Sequence, residues 1–338
     1  MSIYTTEKNA TNSLDNRTGI RSVTWKIKFK RNSYAKHFQV VDVFQLRKIL
    51  ASRPDLIIVN ECTMLTFWVV FINRLYRCKV LLLIENSHLN HFRKTLSFAS
   101  FYIRKFVFSA ADLIMTNNKM GLDFILSFGV NSGKIICKPY LTSQVTCDMN
   151  DLDRKSDSNM IQLLYVGQLI ERKGIRILLR SLAKLDPEWL ERLQLMIVGE
   201  GDQADLLRDY VEDHRIAGVN FLGTIAYSEL GKVYQAADVM VIPTLHDYRS
   251  LVGFEALSCG LPILHSIYDG AVSEVTEPGL NGYRYDPQDQ EDFRNKVGKL
   301  LGSDCLTKFR KRSYEKAYDF SYSQIIANLR DGVAHALQ

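Results

Sequence analysis

The sequence predicts an α/β protein of two doubly wound domains facing each other across a cleft, and three observations predict it. Its 338 residues exceed the size that one hydrophobic core usually serves. From Val23 onward, short apolar runs alternate with segments of helical period, the pattern of a parallel sheet covered by helices. A polar stretch from Gln144 to Met160, carrying Asp148, Asp151, Asp153 and Asp157, then divides one series of alternations from a second.

Residues 1–22 are polar and without period, so an irregular start is expected. The first domain, 23–143, takes a strand at Val23–Phe29, a helix at Val43–Ser52, strands at Leu56–Val59 and Val80–Ile84, and a helix after His91. A strand at Leu113–Thr116, a helix at Met120–Ser127 and a short strand at Lys134–Lys138 complete it. Residues 144–160 are the expected linker. The second domain, 161–338, reads more cleanly, with strands at Gln162–Val166, Gln194–Val198, Val219–Leu222, Val239–Ile242 and Pro262–Leu264. Helices are expected between them at Ile175–Ala183, Ala204–His214, Ser228–Ala236 and Leu251–Cys259, followed by a helical tail.

An apolar fraction of 46% and a charged fraction of 24% are those of a folded, soluble globular chain. The first twenty residues do not read as a cleavable signal, and Asn60, Glu61 and Asn73 interrupt the most apolar stretch, so no membrane span is expected. Six scattered cysteines, without paired short spacings, suggest neither a zinc cluster nor a disulfide framework, and fit a reducing cytoplasm. The net charge of +6 hides an asymmetry, because residues 1–150 carry 21 basic against 9 acidic side chains. A basic lobe of this kind suits a polyanionic substrate or the anionic inner face of the plasma membrane. Between His91 and Ala110, the mixture of Arg93, Lys94, Arg104 and Lys105 with Phe92, Leu96, Phe98, Tyr102, Phe106 and Phe108 resembles an interfacial helix. No nucleic-acid recognition element is visible.

Parallel sheets bind ligands beyond the C-terminal ends of their strands, and the chemistry-bearing residues fall there. In VIPTLHDYRSLVGFE, Val241–Glu255, a strand ends at Ile242, Pro243 stops it, and a helix begins near Ser250, whose hydroxyl suits an N-cap. The amides of Leu251 and Val252 and the positive end of the helix dipole would face a diphosphate. Glu255, one turn in, would accept the hydrogens of a ribose diol. In LLYVGQLIERKG, Leu163–Gly174, the turn at Gly167 and Gln168 leads to Arg172 and Lys173 at a helix start, a second place for an anion. In the first half, Glu61 follows one strand, and Glu85, Asn86 and His88 follow the next, where they would meet an acceptor.

The ordered segments VGQLIERKG, LMIVGEGDQADLL, VNFLGTIAYSELGKVYQAADVMVIPT, DYRSLVGFEALSCGLPIL and SEVTEPGLNGY resemble the nucleotide-sugar half of retaining glycosyltransferases of family 4. The resemblance covers Ile161–Asp286 strongly and the last helices moderately. It implies the GT-B architecture of two Rossmann-like domains and transfer of a sugar from a UDP-, GDP- or ADP-linked donor to a saccharide or lipid-linked acceptor, as in surface-polysaccharide assembly. It assigns Lys173 to the donor diphosphate, Glu255 to the ribose, Asp247 to the donor sugar, and the backbone of Gly223, Thr224 and Ile225 to the nucleobase.

A lysine and a helix start stabilise a departing diphosphate without a cofactor or divalent metal, so none is expected, and the Asp151–Asp153 pair is read as coincidental. Three departures stand out. Gln168 replaces a common arginine, leaving Arg172 or Arg249 to supply that charge. Asp247 is one methylene shorter than the usual glutamate, and Arg249–Ser250 replaces Phe-Gly. No glycine-rich loop follows a first strand, which keeps open the alternative of a catalytically degenerate homologue acting as a scaffold subunit of a glycosylation complex.

Overall fold

The computed structural model describes residues 4–5, 21–22, 24–28, 37–41, 43–85, 98–147, 160–302 and 305–338. The chain divides into two compact units, one of residues 1–140 with 327–338 and one of residues 141–326.

In the first unit, β1 (Thr24–Lys28) pairs antiparallel with β2 (His37–Val41), from Thr24 opposite Val41 to Lys28 opposite His37. The expected strand at Val23–Phe29 therefore exists but belongs to a hairpin. Its alternation of polar and apolar residues is the antiparallel pattern, and the partner at 37–41 was not anticipated. The two-residue strands Tyr4–Thr5 and Arg21–Ser22 also pair, within the stretch expected to be irregular.

The parallel sheet of this unit has the order β3 (Leu56–Asn60), β4 (Lys79–Ile84), β5 (Leu113–Thr116), β6 (Ile135–Cys137). Its helices are α1 (Val43–Ala51), α2 (Met64–Asn73), α3 (Phe98–Ala110) and α4 (Lys119–Leu126). Thr63 and Asn118 cap α2 and α4 by accepting from the Thr66 and Gly121 amides, which closes orphan donors at each start. Val80, Leu82, Ile84 and Ile114 form the core with Val107, Phe108, Phe124 and Phe128.

The second unit holds a six-stranded parallel sheet in the order β9, β8, β7, β10, β11, β12. These strands are β7 (Ile161–Val166), β8 (Leu193–Val198), β9 (Val219–Gly223), β10 (Val239–Ile242), β11 (Ile263–Ser266) and β12 (Gly282–Tyr285). Helices α5 (Ile175–Leu182), α6 (Ala204–Asp213), α7 (Tyr227–Ala236), α8 (Val252–Ser258) and α9 (Gln290–Leu301) alternate with them. The chain winds outward one way from β7 and then returns to place β10 on its other side. That reversal opens a crevice beyond the strand ends between β7 and β10. Every residue of β10 and β11 is buried, as strands covered on both faces require.

Helix α10 (Cys305–Ala317) secures the opposite end of this sheet. Arg310 donates to Asp238 Oδ1 at 2.9 Å and to the Ala237 carbonyl at 2.9 Å, while Asp238 Oδ2 accepts the Gln162 amide at 2.9 Å. Helix α11 (Tyr322–Leu337) starts in the second unit and ends in the first. Asn328 there donates to the Pro139 carbonyl, and Asp331 pairs with Lys138. A division at 161–338 thus becomes one in which the last helix returns to the first unit, because its contacts are with residues 138 and 139. The described part of the expected linker is 144–147 together with Met160, and Asp151 and Asp153 lie outside the described residues.

Arg310→Met strands the buried Asp238 carboxylate and should cost about 3–5 kcal/mol of stability. Urea denaturation of the variant checks this, and a loss smaller than about 1 kcal/mol would remove the ion pair from the account of the fold.

Candidate functional site

Three loops converge on the crevice between β7 and β10. The first leaves β7 through Gly167 and Gln168, with the Tyr165 hydroxyl donating to the Gln168 carbonyl at 2.8 Å. It then makes a 3-10 turn over Glu171–Lys173 that ends on Gly174 at φ 72°. Gly174 sits so close to the segment after β10 that a Cβ would stand 2.0 Å from the Pro243 carbonyl oxygen, so both the conformation and the approach demand glycine. Leu245 N and Thr244 Oγ1 donate to the Arg172 carbonyl at 2.8 and 3.1 Å, which ties the first loop to the second.

That tie brings two cations onto one carboxylate. Asp247 Oδ2 accepts from Arg172 Nη1 at 3.1 Å, from Lys173 Nζ, and from Ser250 Oγ at 3.2 Å. Its other oxygen accepts the Tyr248 amide at 2.9 Å. Lys173 and Arg172 keep about a fifth of their side-chain surface exposed, so they are shielded without being sealed off. A small hollow beside Lys173 is lined by Val166, Thr244, Ser250 and Val252, at the ends of β7 and β10.

Ser250 does not cap the helix as expected. Helix α8 begins at Val252, Leu251 occupies the capping position, and the Ser250 hydroxyl turns back to Asp247. The Ser250 amide is held instead by Asp269 Oδ1 at 3.2 Å. The ladder of α8 starts with Phe254 N and Glu255 N donating to Leu251 O, so the amides of Leu251 and Val252 precede it.

Arg249 also departs from expectation. Its side chain is buried, pairs with Glu274 through Nε and Nη2, donates to the Leu141 carbonyl at 2.6 Å, and lies 4.0 Å over the Phe254 ring. It fixes residue 141 to the start of α8 and is not the cation that compensates for Gln168. Arg172 is the cation beside Lys173.

Glu255 is buried, with Oε1 accepting from Ser143 at 2.6 Å and Oε2 from Tyr234 at 2.7 Å. Burial, then the Glu255 charge, pushes the Tyr234 phenol well above its ordinary value, so it remains a protonated donor. The carboxylate is therefore organised to accept hydroxyl groups from two sides, and each oxygen retains a second lone pair. Tyr227, which contacts Ser143 at 3.1 Å and donates to the Gln144 carbonyl, starts α7 just beyond Gly223, Thr224 and Ile225. Gly223 turns at φ 65°, Thr224 is exposed and Ile225 packs against the core.

Ser143, Tyr234, Asp269 and Glu274 were missed. Ser143 and Tyr234 read as the last residue of the first domain and a helix residue 91 positions on, and only the fold joins them at Glu255. The Asp-Gly pair at 269–270 was the one local signal, since such pairs mark turns. A disulfide joining Cys147 and Cys259, with a Cα separation of 5.4 Å, corrects the expectation of unpaired cysteines. The 112-residue separation concealed it until residues 141–147 were laid along α8.

In the first unit, the structure brings Glu61 and Glu85 together at the ends of β3 and β4, where Glu61 Oε1 accepts the Glu85 amide at 2.7 Å. Glu61 has φ 57°, and its carbonyl accepts from Thr66 at 2.6 Å, so it organises the turn into α2. Asn86 and His88 lie outside the described residues.

Residues 149–320, just over half of the chain, match the family of glycosyl transferases group 1. The chain belongs to this family. An uncharacterized glycosyltransferase of Methanocaldococcus jannaschii is 33% identical over 157 residues, covering 44% of this chain and 37% of that one. The chain spans between about a third and two thirds of the curated relatives' lengths. Anabaena HepE, solved in complex with UDP, superposes with a TM-score of 0.72 at 16% identity, over 86% of this chain and 81% of that one. Sucrose-phosphate synthase from Thermosynechococcus elongatus gives 0.66 at 20% identity, over 87% and 78%. The fold is GT-B, with two parallel-sheet α/β domains.

The Asp269 carboxylate ties the second loop to the third. Burial pushes it upward, but His265, then Ser250 and the Ala271 amide outweigh this and hold it at about 2, below the ordinary 3.8. A lowered folded value means stability that is fully present above the unfolded value and lost as pH falls through the folded one. The unfolding free energy from urea denaturation should thus fall between about pH 4 and pH 2 by on the order of 2 kcal/mol, and Asp269→Asn should flatten that slope. An unchanged slope would remove Asp269 from the acid response.

Proposed function

We propose that this chain transfers a sugar from a nucleoside diphosphate donor to an acceptor hydroxyl, with retention at the anomeric carbon and no divalent metal. The observation that carries the reading is the pairing of Lys173 and Arg172 on Asp247 at the mouth of the β7–β10 crevice. Two cations there, with the amides preceding α8, meet the negative charge that builds on the leaving diphosphate. The bond from the anomeric carbon to the diphosphate oxygen breaks with its electron pair leaving on that oxygen. A bond from the acceptor oxygen to the anomeric carbon forms, and the acceptor's proton passes to the departing diphosphate oxygen.

Glu255 would hold the ribose, using the oxygens that now accept from Ser143 and Tyr234. Asp247, released from its cations by the diphosphate, would face the donor sugar, whose transition state carries positive charge. The UDP complex of a protein with the same fold makes UDP the first nucleotide to try. The basic balance of residues 1–150 supports a lipid-linked saccharide as acceptor and residence on the inner face of the plasma membrane.

Calorimetric titration with UDP, GDP and ADP in excess EDTA should show binding of one nucleotide, lost in Glu255→Ala. Silence from all three would sink the donor site. Lys173→Ala should lower turnover about 10²- to 10³-fold, and wild-type turnover in that variant would refute its role. EDTA should leave turnover unchanged, whereas a loss restored by Mg²⁺ or Mn²⁺ would overturn the metal-free reading.

A further inference from the structure

We propose that Ser143 binds the ribose of the donor directly, as a second ligand beside Glu255. The inference rests on the donor reading above and adds a residue to that site. Ser143 stands on the segment 141–147, which lies outside every helix and strand and is fastened along α8 on both sides of residue 143. Before it, the Leu141 carbonyl accepts from the buried Arg249 guanidinium at 2.6 Å. After it, the Val145 amide donates to Ser258 Oγ at 3.2 Å, and the disulfide joins Cys147 to Cys259. These ties leave residue 143 little freedom, so its hydroxyl is placed before a ligand arrives and little ordering entropy is lost on binding.

Around that hydroxyl, protons are fewer than the oxygens that can accept them. Each hydroxyl carries a single proton. Ser143 Oγ gives its proton to Glu255 Oε1 at 2.6 Å, and Tyr227 Oη donates to the Gln144 carbonyl at 2.8 Å. The 3.1 Å contact between Ser143 Oγ and Tyr227 Oη then holds no proton, and turning the Tyr227 proton into it would strip the Gln144 carbonyl instead. Either way one oxygen next to Glu255 is left as an open acceptor, in addition to the second lone pairs of the carboxylate. A vicinal diol supplies what is missing, one hydroxyl donating to Glu255 and its neighbour to Ser143. Tyr227 is 55% exposed, so the cluster opens to solvent. Its place also suits ribose. Tyr227 starts α7 directly after the loop 223–225 expected at the nucleobase, and Glu255 lies one turn beyond the amides expected at the diphosphate. In a nucleotide the ribose joins those two parts.

Calorimetric titration of the full chain with UDP, 2′-deoxy-UDP and 3′-deoxy-UDP tests it, with the corresponding GDP or ADP set in their place where one of those is the nucleotide bound. Ser143→Ala and Ser143→Gly should each weaken UDP about tenfold. The penalty should vanish for the one deoxynucleotide that lacks the hydroxyl Ser143 accepts and persist for the other, because a direct contact is lost only once. A residue that acts only through Glu255 or through the fold would penalise both deoxynucleotides alike. Equal penalties, or wild-type affinity for UDP in both variants, would therefore overturn the proposal while Glu255→Ala still abolishes binding and keeps the donor site. A wild-type chain that binds none of the three nucleoside diphosphates would remove the donor reading itself, and this inference with it.

Discussion

The second unit of this protein depends on one carboxylate placed where the strand order reverses. Asp247 gathers Lys173, Arg172 and the Ser250 hydroxyl, which come from loops on both sides of the β7–β10 crevice. Without that negative charge, two adjacent cations would repel one another in a partly shielded place. The backbone repeats the tie, since the Arg172 carbonyl takes hydrogen bonds from Thr244 and Leu245, and Gly174 admits the Pro243 carbonyl where no side chain would fit. The cations are therefore positioned by the fold before any anion is considered, which is the condition for electrostatic stabilisation with little reorganisation.

Around this centre, three further buried charges have charged or polar partners. Arg249 lies with Glu274, Arg310 with Asp238, and Asp269 beside His265 and two backbone amides. Such pairs contribute little net stability compared with apolar residues, but loss of one partner is costly, so they fix where segments must lie. Arg249 shows the consequence. A charge that sequence reasoning assigned to the ligand is used to pin residue 141 to α8, and the same segment supplies Ser143 to Glu255.

The first unit is built differently. Its parallel sheet has four described strands, its core is aromatic-rich, and α1, α2 and α3 contain no aspartate or glutamate. Glu61 and Glu85, expected to face an acceptor, are joined by a hydrogen bond that shapes the ends of β3 and β4. The charge asymmetry between the two halves thus matches a division between a second unit cross-linked by buried ion pairs and a first unit richer in basic side chains.

By itself the sequence determined the alternation of strands and helices and the position of Lys173, Asp247 and Glu255 beyond the ends of strands in the second half. These follow from local period, punctuation by Gly and Pro, and an ordered set of motifs, all of which are written along the chain. Only the tertiary structure decided that Ser250 turns away from the helix start, that Arg249 is an internal strut, and that Ser143 and Tyr234 serve Glu255. It also joined Cys147 to Cys259 and returned the last helix to the first unit. Each of these depends on groups distant in sequence meeting in space, and which partner a buried polar group finds is set by packing, which local pattern does not encode.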